Sequence, residues 1–295
     1  MRYLSLFSGI EACTQAWHPL GWEPVAFAEI DPFACAVLAH HYPDVPNLGC
    51  VTDITEADIE ALGPIDLVVG GSPCQDLSVA GKRKGLEGER SGLFSEQMRI
   101  FHATRTISGA RWLLWENVPG AFSSNKGADF AQVVGQLAGA EFPVPKGKWQ
   151  KAGAAVGDNG LVEWRVLDAQ YFGLAQRRKR VFALLDTGDW ASRSPILLEP
   201  EGLRGDSPPG VEHRTAEHTG TSAGSPFDML GFGQYGLGVT GSSLKARDYK
   251  DWTDLVVTPT GRVRGITPVE RERLQGFPDG HTAVPYRNKP ADKCP

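Results

Sequence analysis

The chain has 295 residues, 41% hydrophobic and 22% charged, with a mean hydropathy of −0.25, which allows a buried core in one or two domains and excludes a disordered or fibrous protein. No apolar run approaches the roughly 18 residues of a membrane helix, and the opening segment meets Glu11 before any cleavage site, so a soluble, cytoplasmic protein is expected. The 30 basic and 35 acidic side chains give a net charge of −5, which argues weakly against a polyanion partner unless basic residues cluster.

Short apolar runs alternate with helix-like stretches through the first two thirds of the chain. Strands are expected over 3–7, 24–29, Leu67–Gly70, 112–116 and 180–185, and helices over 11–20, Pro32–His41 and 91–106, the last beginning at Ser91 and Gly92. This rhythm predicts an α/β domain with a mainly parallel sheet. Residues 187–260 are rich in Gly, Pro, Ser and Thr and read as a small, loop-rich second domain, with Phe227, Phe232, Tyr235 and Trp252 available as core. Helical pattern returns over 267–275, where Thr267 suits the cap and Pro268 the first turn. The five cysteines, Cys13, Cys35, Cys50, Cys74 and Cys294, are scattered without CxxC spacing, so neither a disulfide framework nor a metal site is expected.

The first strand runs into Phe7-Ser8-Gly9-Ile10-Glu11-Ala12, a strand-turn-helix junction with glycine where backbone must approach a ligand. It lacks GxGxxG spacing, which disfavours a nicotinamide enzyme, and alone it is equally an ordinary tight turn. Glu29 and Asp31 follow the second strand, and Asp53 follows Val51-Thr52. Singly each acid reads as a helix cap or a solvated residue; together along one sheet edge they suit ribose hydroxyls and an adenine amino group. The apolar run Ile65–Gly70 leads through Gly71-Ser72-Pro73 to Cys74-Gln75, which places a thiol at the open edge of the sheet, where a cysteine is a good nucleophile. Leu113-Leu114-Trp115 leads likewise to Glu116, where burial would raise the carboxyl pKa and suit it to general-acid work. Gln176 precedes Arg177, Arg178, Lys179 and Arg180, a basic run feeding directly into a strand.

With LFSG, the acid after the second strand, VTDI, GGSPCQDLSVAG, WENVPG, QRRKR and ITPVERERLQGFPDG in order, the chain resembles a DNA (cytosine-5)-methyltransferase of the bacterial and phage type. The resemblance implies a Rossmann-like S-adenosylmethionine-dependent methyltransferase fold: residues 1–186 catalytic and cofactor-binding, 187–260 for target recognition, and 261–295 returning to the catalytic domain. It implies that Phe7, Ser8, Gly9, Ile10, Glu29, Asp53, Ile54 and Pro73 line the cofactor site, with Phe7 on the adenine and Glu29 on the ribose. Cys74 would be the nucleophile, Glu116 would contact the target cytosine, and Gln176, Arg178 and Arg180 would order the site. Duplex DNA is the implied partner, met by Lys82, Arg83 and Lys84 on a glycine-hinged lid over 76–94 and by Lys245 and Arg247 within 242–250; no metal is needed and a monomer is expected. The chain departs from the pattern at Glu11-Ala12, where many members carry further glycine. The family's last block, which would close the cofactor pocket beside the first strand, is missing from the sequence, so a leaky cofactor site is expected.

The residue types suit the reaction. Carbon 5 of cytosine becomes nucleophilic only when the ring's aromaticity is broken. Addition of the Cys74 thiolate at carbon 6, with a proton or hydrogen bond from Glu116 at ring nitrogen 3, would do this. Amino-methylating enzymes instead present an Asp/Asn-Pro-Pro-aromatic turn, so Ser72-Pro73-Cys74-Gln75 favours carbon methylation. The target base must leave the stack, at a cost of a few kcal/mol. Two alternatives are a tRNA cytosine-5 methyltransferase and a truncated, inactive DNA-binding relative.

Overall fold

Tyr3, Leu4, Ser5 and Leu6 are all buried, so β1 (Arg2–Leu6) presents apolar side chains to both faces and must lie inside a sheet with cover on each side. The computed structural model describes residues 1–73, 92–198, 225–231, 234–237, 254–257, 260 and 262–287. The chain divides into two compact units, Met1–Val166 with Arg180–Gly202, and Leu167–Lys179 with Leu203–Pro295.

In the first unit β1 is joined by β2 (Glu23–Ala28), β3 (Leu67–Gly70), β4 (Trp112–Asn117), β5 (Ala152–Gly157), β6 (Gly160–Asp168) and β7 (Lys179–Asp186) in one seven-stranded sheet, ordered β2-β1-β3-β4-β7-β6-β5. The parallel arrangement expected from the sequence holds for β2-β1-β3-β4. Beyond β4 it does not: β7 pairs antiparallel with β4, and β5 pairs antiparallel with β6. The hairpin explains the second change, because two residues between Gly157 and Gly160 can return a chain only antiparallel. The sequence reading missed both β5 and β6; the AGAAVG composition of β5 is poor in strand formers. Its glycine has a reason, since a Cβ on Gly153 would collide with the Trp164 ring across the hairpin.

Helices α1 (Ala12–Trp17), α2 (Pro32–His41), α3 (Glu56–Ala61), α4 (Leu93–Ser108) and α5 (Ala128–Ala138) complete this unit. The helix expected over 11–20 is shorter. Glu11 stands outside it as the cap, and His18–Leu20 form a separate 3-10 turn, because Pro19 has no N–H with which to continue the α pattern. One face of the sheet packs a large core in which Phe130 meets Phe122, Trp149 and Trp164 at ring separations of 4.6, 4.9 and 5.8 Å. The other holds Tyr3, Leu67 and Val69 with Trp17 and Trp22 packed against them.

A buried ionic network ties down the chain where it leaves β7. Asp186 accepts from Arg111 and from Arg193 at 2.6 Å each, and Arg193 also reaches Glu163 on β6 at 2.8 Å. Glu163 in turn accepts the Ile196 and Leu197 N–H groups at 2.8 and 2.7 Å.

In the second unit β8 (Ser225–Gly231), β9 (Gln234–Leu237), β10 (Asp254–Val257) and β11 (Val263–Gly265) form an antiparallel sheet ordered β11-β10-β8-β9. Strands therefore run through a stretch read as loop-rich; Phe227 lies on β8 and Tyr235 on β9, while Phe232 and Trp252 lie outside the described residues. Helix α6 (Pro268–Gln275) begins as expected, with Thr267 and Glu270 forming a reciprocal capping box. Among the described residues no helix is long and apolar enough to cross a membrane.

Removing Glu163 leaves Arg193 short of a buried carboxylate and frees two backbone donors. Glu163→Ala is expected to cost about 3 kcal/mol or more, measured by urea denaturation; a loss below about 0.5 kcal/mol would refute the network's role.

Candidate active site

The loop after β1 is backbone in an unusual state. Phe7, Gly9 and Glu11 have φ of 53°, 56° and 66°, so three residues in five occupy the left-handed region, two of them without glycine's freedom. The Glu11 carboxylate holds the loop closed. It is fully buried, accepts from the Ser5 hydroxyl at 2.8 Å and from the Thr14 N–H at 3.1 Å, and lies 3.5 Å from the Tyr3 hydroxyl. One side chain thus caps α1 and fastens its start to β1. A left-handed glutamate stands here, and its hydrogen bonds offset the strain. Burial pushes the Glu11 carboxyl up to about 7, while the Ser5 and Thr14 bonds pull it down.

Above the loop a Cβ on Gly9 would meet nothing within 4 Å, so the backbone there faces open space. The Gly9 N–H donates to Glu29 Oε2 at 2.7 Å, and Glu29 Oε1 accepts from Ile30 and Asp31 at 2.8 and 2.7 Å. Oε2 therefore keeps a lone pair for another donor. Asp31 serves as the cap of α2, accepting from Phe33 and Ala34, the commonplace role for an acid at that place. Ser8 gives its hydroxyl to the Ser5 carbonyl and accepts from Ala28, so it fixes the loop. Phe7 packs partly against the main core, while Ile30, which the sequence reading passed over, leaves 69% of its surface exposed beside Glu29.

Asp53 ends a 3-10 turn, Val51–Asp53, and is exposed, whereas the next residue, Ile54, is buried. The turn is gripped from α4. Arg99 donates to the Val51 carbonyl at 3.0 Å and the Ile54 carbonyl at 2.9 Å, bracketing Asp53, and pairs with Glu96 at 2.7 Å. Nothing in the sequence singled out Arg99, since a lone arginine on a helix has no motif.

The ends of β3 and β4 are tied together. Trp115 donates its indole N–H to Ser72 Oγ at 3.0 Å, and Asn117 donates to the Ser72 carbonyl at 2.9 Å. Between them in sequence stands Glu116. A Cβ at Gly71 would come within 2.9 Å of Glu116 Oε2 and 3.3 Å of its carbonyl, so a larger residue there would displace the Glu116 side chain. Pro73 follows Ser72 and is exposed. Glu116 is not enclosed as expected from its place at the end of an apolar run. Its side chain keeps 31% of its surface open and pairs with Arg180 Nε at 2.8 Å, because β7 runs antiparallel beside β4 and brings its first residues to that end.

Gln176 and Arg178 belong to the second unit. Gln176 is fully buried and, among the described residues, neither of its amide atoms has a hydrogen-bond partner; the Arg178 N–H donates to Asp168 at 3.1 Å. Ile10 is half-buried in the loop after β1. Cys74, Lys82, Arg83, Lys84, Lys245 and Arg247 lie outside the described residues. Among the described residues no cluster of three or more His, Cys, Asp or Glu could hold a metal ion.

A family model for C-5 cytosine-specific DNA methylases matches residues 1–192. The chain belongs to that family. It is 33% identical to the DNA N-6-adenine-methyltransferase of Escherichia phage P1 over 407 aligned residues, which cover 97% of this chain and 54% of that protein. It is 34% identical to the type II methyltransferase M2.BsuMI of Bacillus subtilis (strain 168), over 62% of this chain and 41% of the relative. This member of the cytosine methylase family therefore spans about half the length, or less, of these curated relatives. Among solved structures, the Dnmt2 methyltransferase of S. pombe is similar at 20% identity and a TM-score of 0.45, covering 63% of this chain and 50% of that one.

The buried Glu11 makes stability depend on pH. Its folded pKa of about 7 lies above the ordinary 4.5, so its contribution is complete below about pH 4.5 and is lost as pH rises through 7. Glu11→Gln keeps the acceptor oxygen without the charge. Relative to that variant, the wild type is expected to lose up to about 3 kcal/mol between pH 4.5 and 8; denaturation at a series of pH values measures it, and a constant difference would refute the assignment.

Proposed function

We propose that the chain transfers a methyl group from S-adenosylmethionine to carbon 5 of a flipped-out cytosine in duplex DNA, through a covalent adduct with Cys74. The observation that carries this reading is the fastening of Ser72, two residues before Cys74, by Trp115 and Asn117, the two neighbours of Glu116. The strand end that leads to Cys74 is thereby joined, at Ser72, to the segment that carries Glu116.

The residues at the ends of β1, β2 and the 3-10 turn fit the cofactor by their chemistry. Glu29 would hold the ribose, Asp53 the adenine amino group, and Phe7, Ile30 and Ile54 would offer apolar surface to the ring. Ser8, Gly9, Ile10 and Pro73 complete the lining. When bound, S-adenosylmethionine supplies an electrophilic methyl group on a sulfonium centre. The chain's own groups do the rest. The Cys74 thiolate would add to carbon 6 of the cytosine, forming a C–S bond and moving electron density to carbon 5, while Glu116 holds a proton at ring nitrogen 3. Arg180 fixes the Glu116 carboxylate by their ion pair. Once carbon 5 carries the methyl group, transfer of its proton to water and elimination of the Cys74 thiolate from carbon 6 would restore the aromatic ring. We place catalysis in residues 1–186 and 261–295 and target recognition in 187–260, with Gln176 and Arg178 ordering the site. The lysines and arginines Lys82, Arg83, Lys84, Lys245 and Arg247 would meet DNA.

Duplex DNA carrying 5-fluorocytosine is expected to trap the wild type as a denaturation-resistant complex and to leave Cys74→Ala free. Glu116→Gln should slow methyl transfer by about 10²–10⁴-fold. Digestion of the methylated product to nucleosides, with tRNA run in parallel, identifies the base and the polymer. N6-methyladenine, or transfer to tRNA alone, would overturn the reading. With about four to six phosphates contacted, log K should fall against log salt with a slope of about −4 to −5; a flat response would argue against DNA as the ligand.

A further inference from the structure

The carboxylate of Glu29 can present itself only if the backbone beneath it is fixed, and that backbone lies just past the end of β2, where the sheet no longer supplies partners on its outer edge. A short segment reaches alongside. Pro46 accepts from the Phe27 N–H at 2.9 Å, Leu48 donates to the Phe27 carbonyl at 2.8 Å, and Asn47 forms an isolated parallel bridge with Phe27. Two residues further on, the side chain of Asn47 takes over the task of a strand. Its Oδ1 accepts the Glu29 N–H at 3.0 Å and its Nδ2 donates to the Glu29 carbonyl at 3.1 Å, so the carboxamide pairs with Glu29 as a neighbouring peptide would. The remaining capacity is also filled: Oδ1 accepts from Gly49 at 3.1 Å, and Nδ2 donates to Cys35 Sγ at 3.3 Å. Both acceptor sites and both donor hydrogens of the carboxamide are in use, and no other side chain of that length offers donor and acceptor in this arrangement.

From this geometry we propose that Asn47 is a positioning residue for the cofactor, setting the main chain of Glu29 so that its carboxylate meets a ribose diol. The proposal rests on the reading of Glu29 as a ribose ligand. Asn47 is exposed, so its bonds compete with water and its removal leaves the core intact. The effect is therefore concentrated on binding.

Calorimetry with the full chain tests it, using S-adenosylhomocysteine and its 2′,3′-dideoxy analogue as probes. The wild type should prefer the ribose compound, and Asn47→Ala should weaken that compound by about tenfold, the size of one or two hydrogen bonds. The dideoxy analogue should bind both proteins alike, and in a Glu29→Gln background Asn47→Ala should have no further effect. Equal S-adenosylhomocysteine affinity in wild type and Asn47→Ala would overturn the proposal. So would an equal loss for both probes, or a loss that persists without Glu29, either of which would mark a general loosening. Failure of the wild type to bind either probe would instead defeat the reading of the site itself, and the proposal with it.

Discussion

The structure turns on how β1 is allowed to leave the sheet. A strand buried on both faces must end in a turn that exposes its backbone without exposing its core, and here the turn is made by alternate left-handed residues, Phe7, Gly9 and Glu11. Such a backbone persists only when its surroundings determine it. Glu11 does so by being wholly enclosed and bonded to the strand before the loop and the helix after it. The cost is a carboxyl removed from water; the return is a loop whose N–H at Gly9 is aimed at Glu29.

The remaining parts of the site are held by the same kind of device, a side chain that substitutes for missing main-chain partners. Arg99 closes the turn around Asp53 by taking the carbonyls on either side of it. Trp115 and Asn117 take the hydroxyl and carbonyl of Ser72. These segments are connections between regular elements, where polar backbone would otherwise be satisfied by water and free to move. Fastening them from α4 and β4 gives the loops the fixity of the sheet.

The same division between regular elements and fastened loops decides how much the sequence disclosed. Strand β3 and helix α2 were legible to the residue because apolar runs and a Pro start announce them, and the motif blocks drew attention to Glu29, Ser72 and Glu116 at or just past strand ends and to Asp53, which stands in a 3-10 turn and not at a strand end. The antiparallel half of the sheet was not legible, since periodicity reports burial and is silent on strand direction. Strands β8 to β10 were hidden by glycine and serine between short apolar pieces. Glu11 could be seen as a departure from pattern, but its burial depends on Ser5, Thr14 and Tyr3 converging in space. The role of Arg99 carries no local signal, because the carbonyls that it grips lie more than 40 residues away.

The buried pairing of Arg193 with Asp186 and Glu163 has a mechanical meaning. The segment up to Leu197 is held to β6: Glu163 accepts the Ile196 and Leu197 amides, and Arg165 donates to the Leu197 carbonyl at 3.2 Å. Because Arg193 also binds Asp186 at the end of β7, the segment that follows β7 is anchored to both β7 and β6, and the end of β7 is held by the residues that come after it.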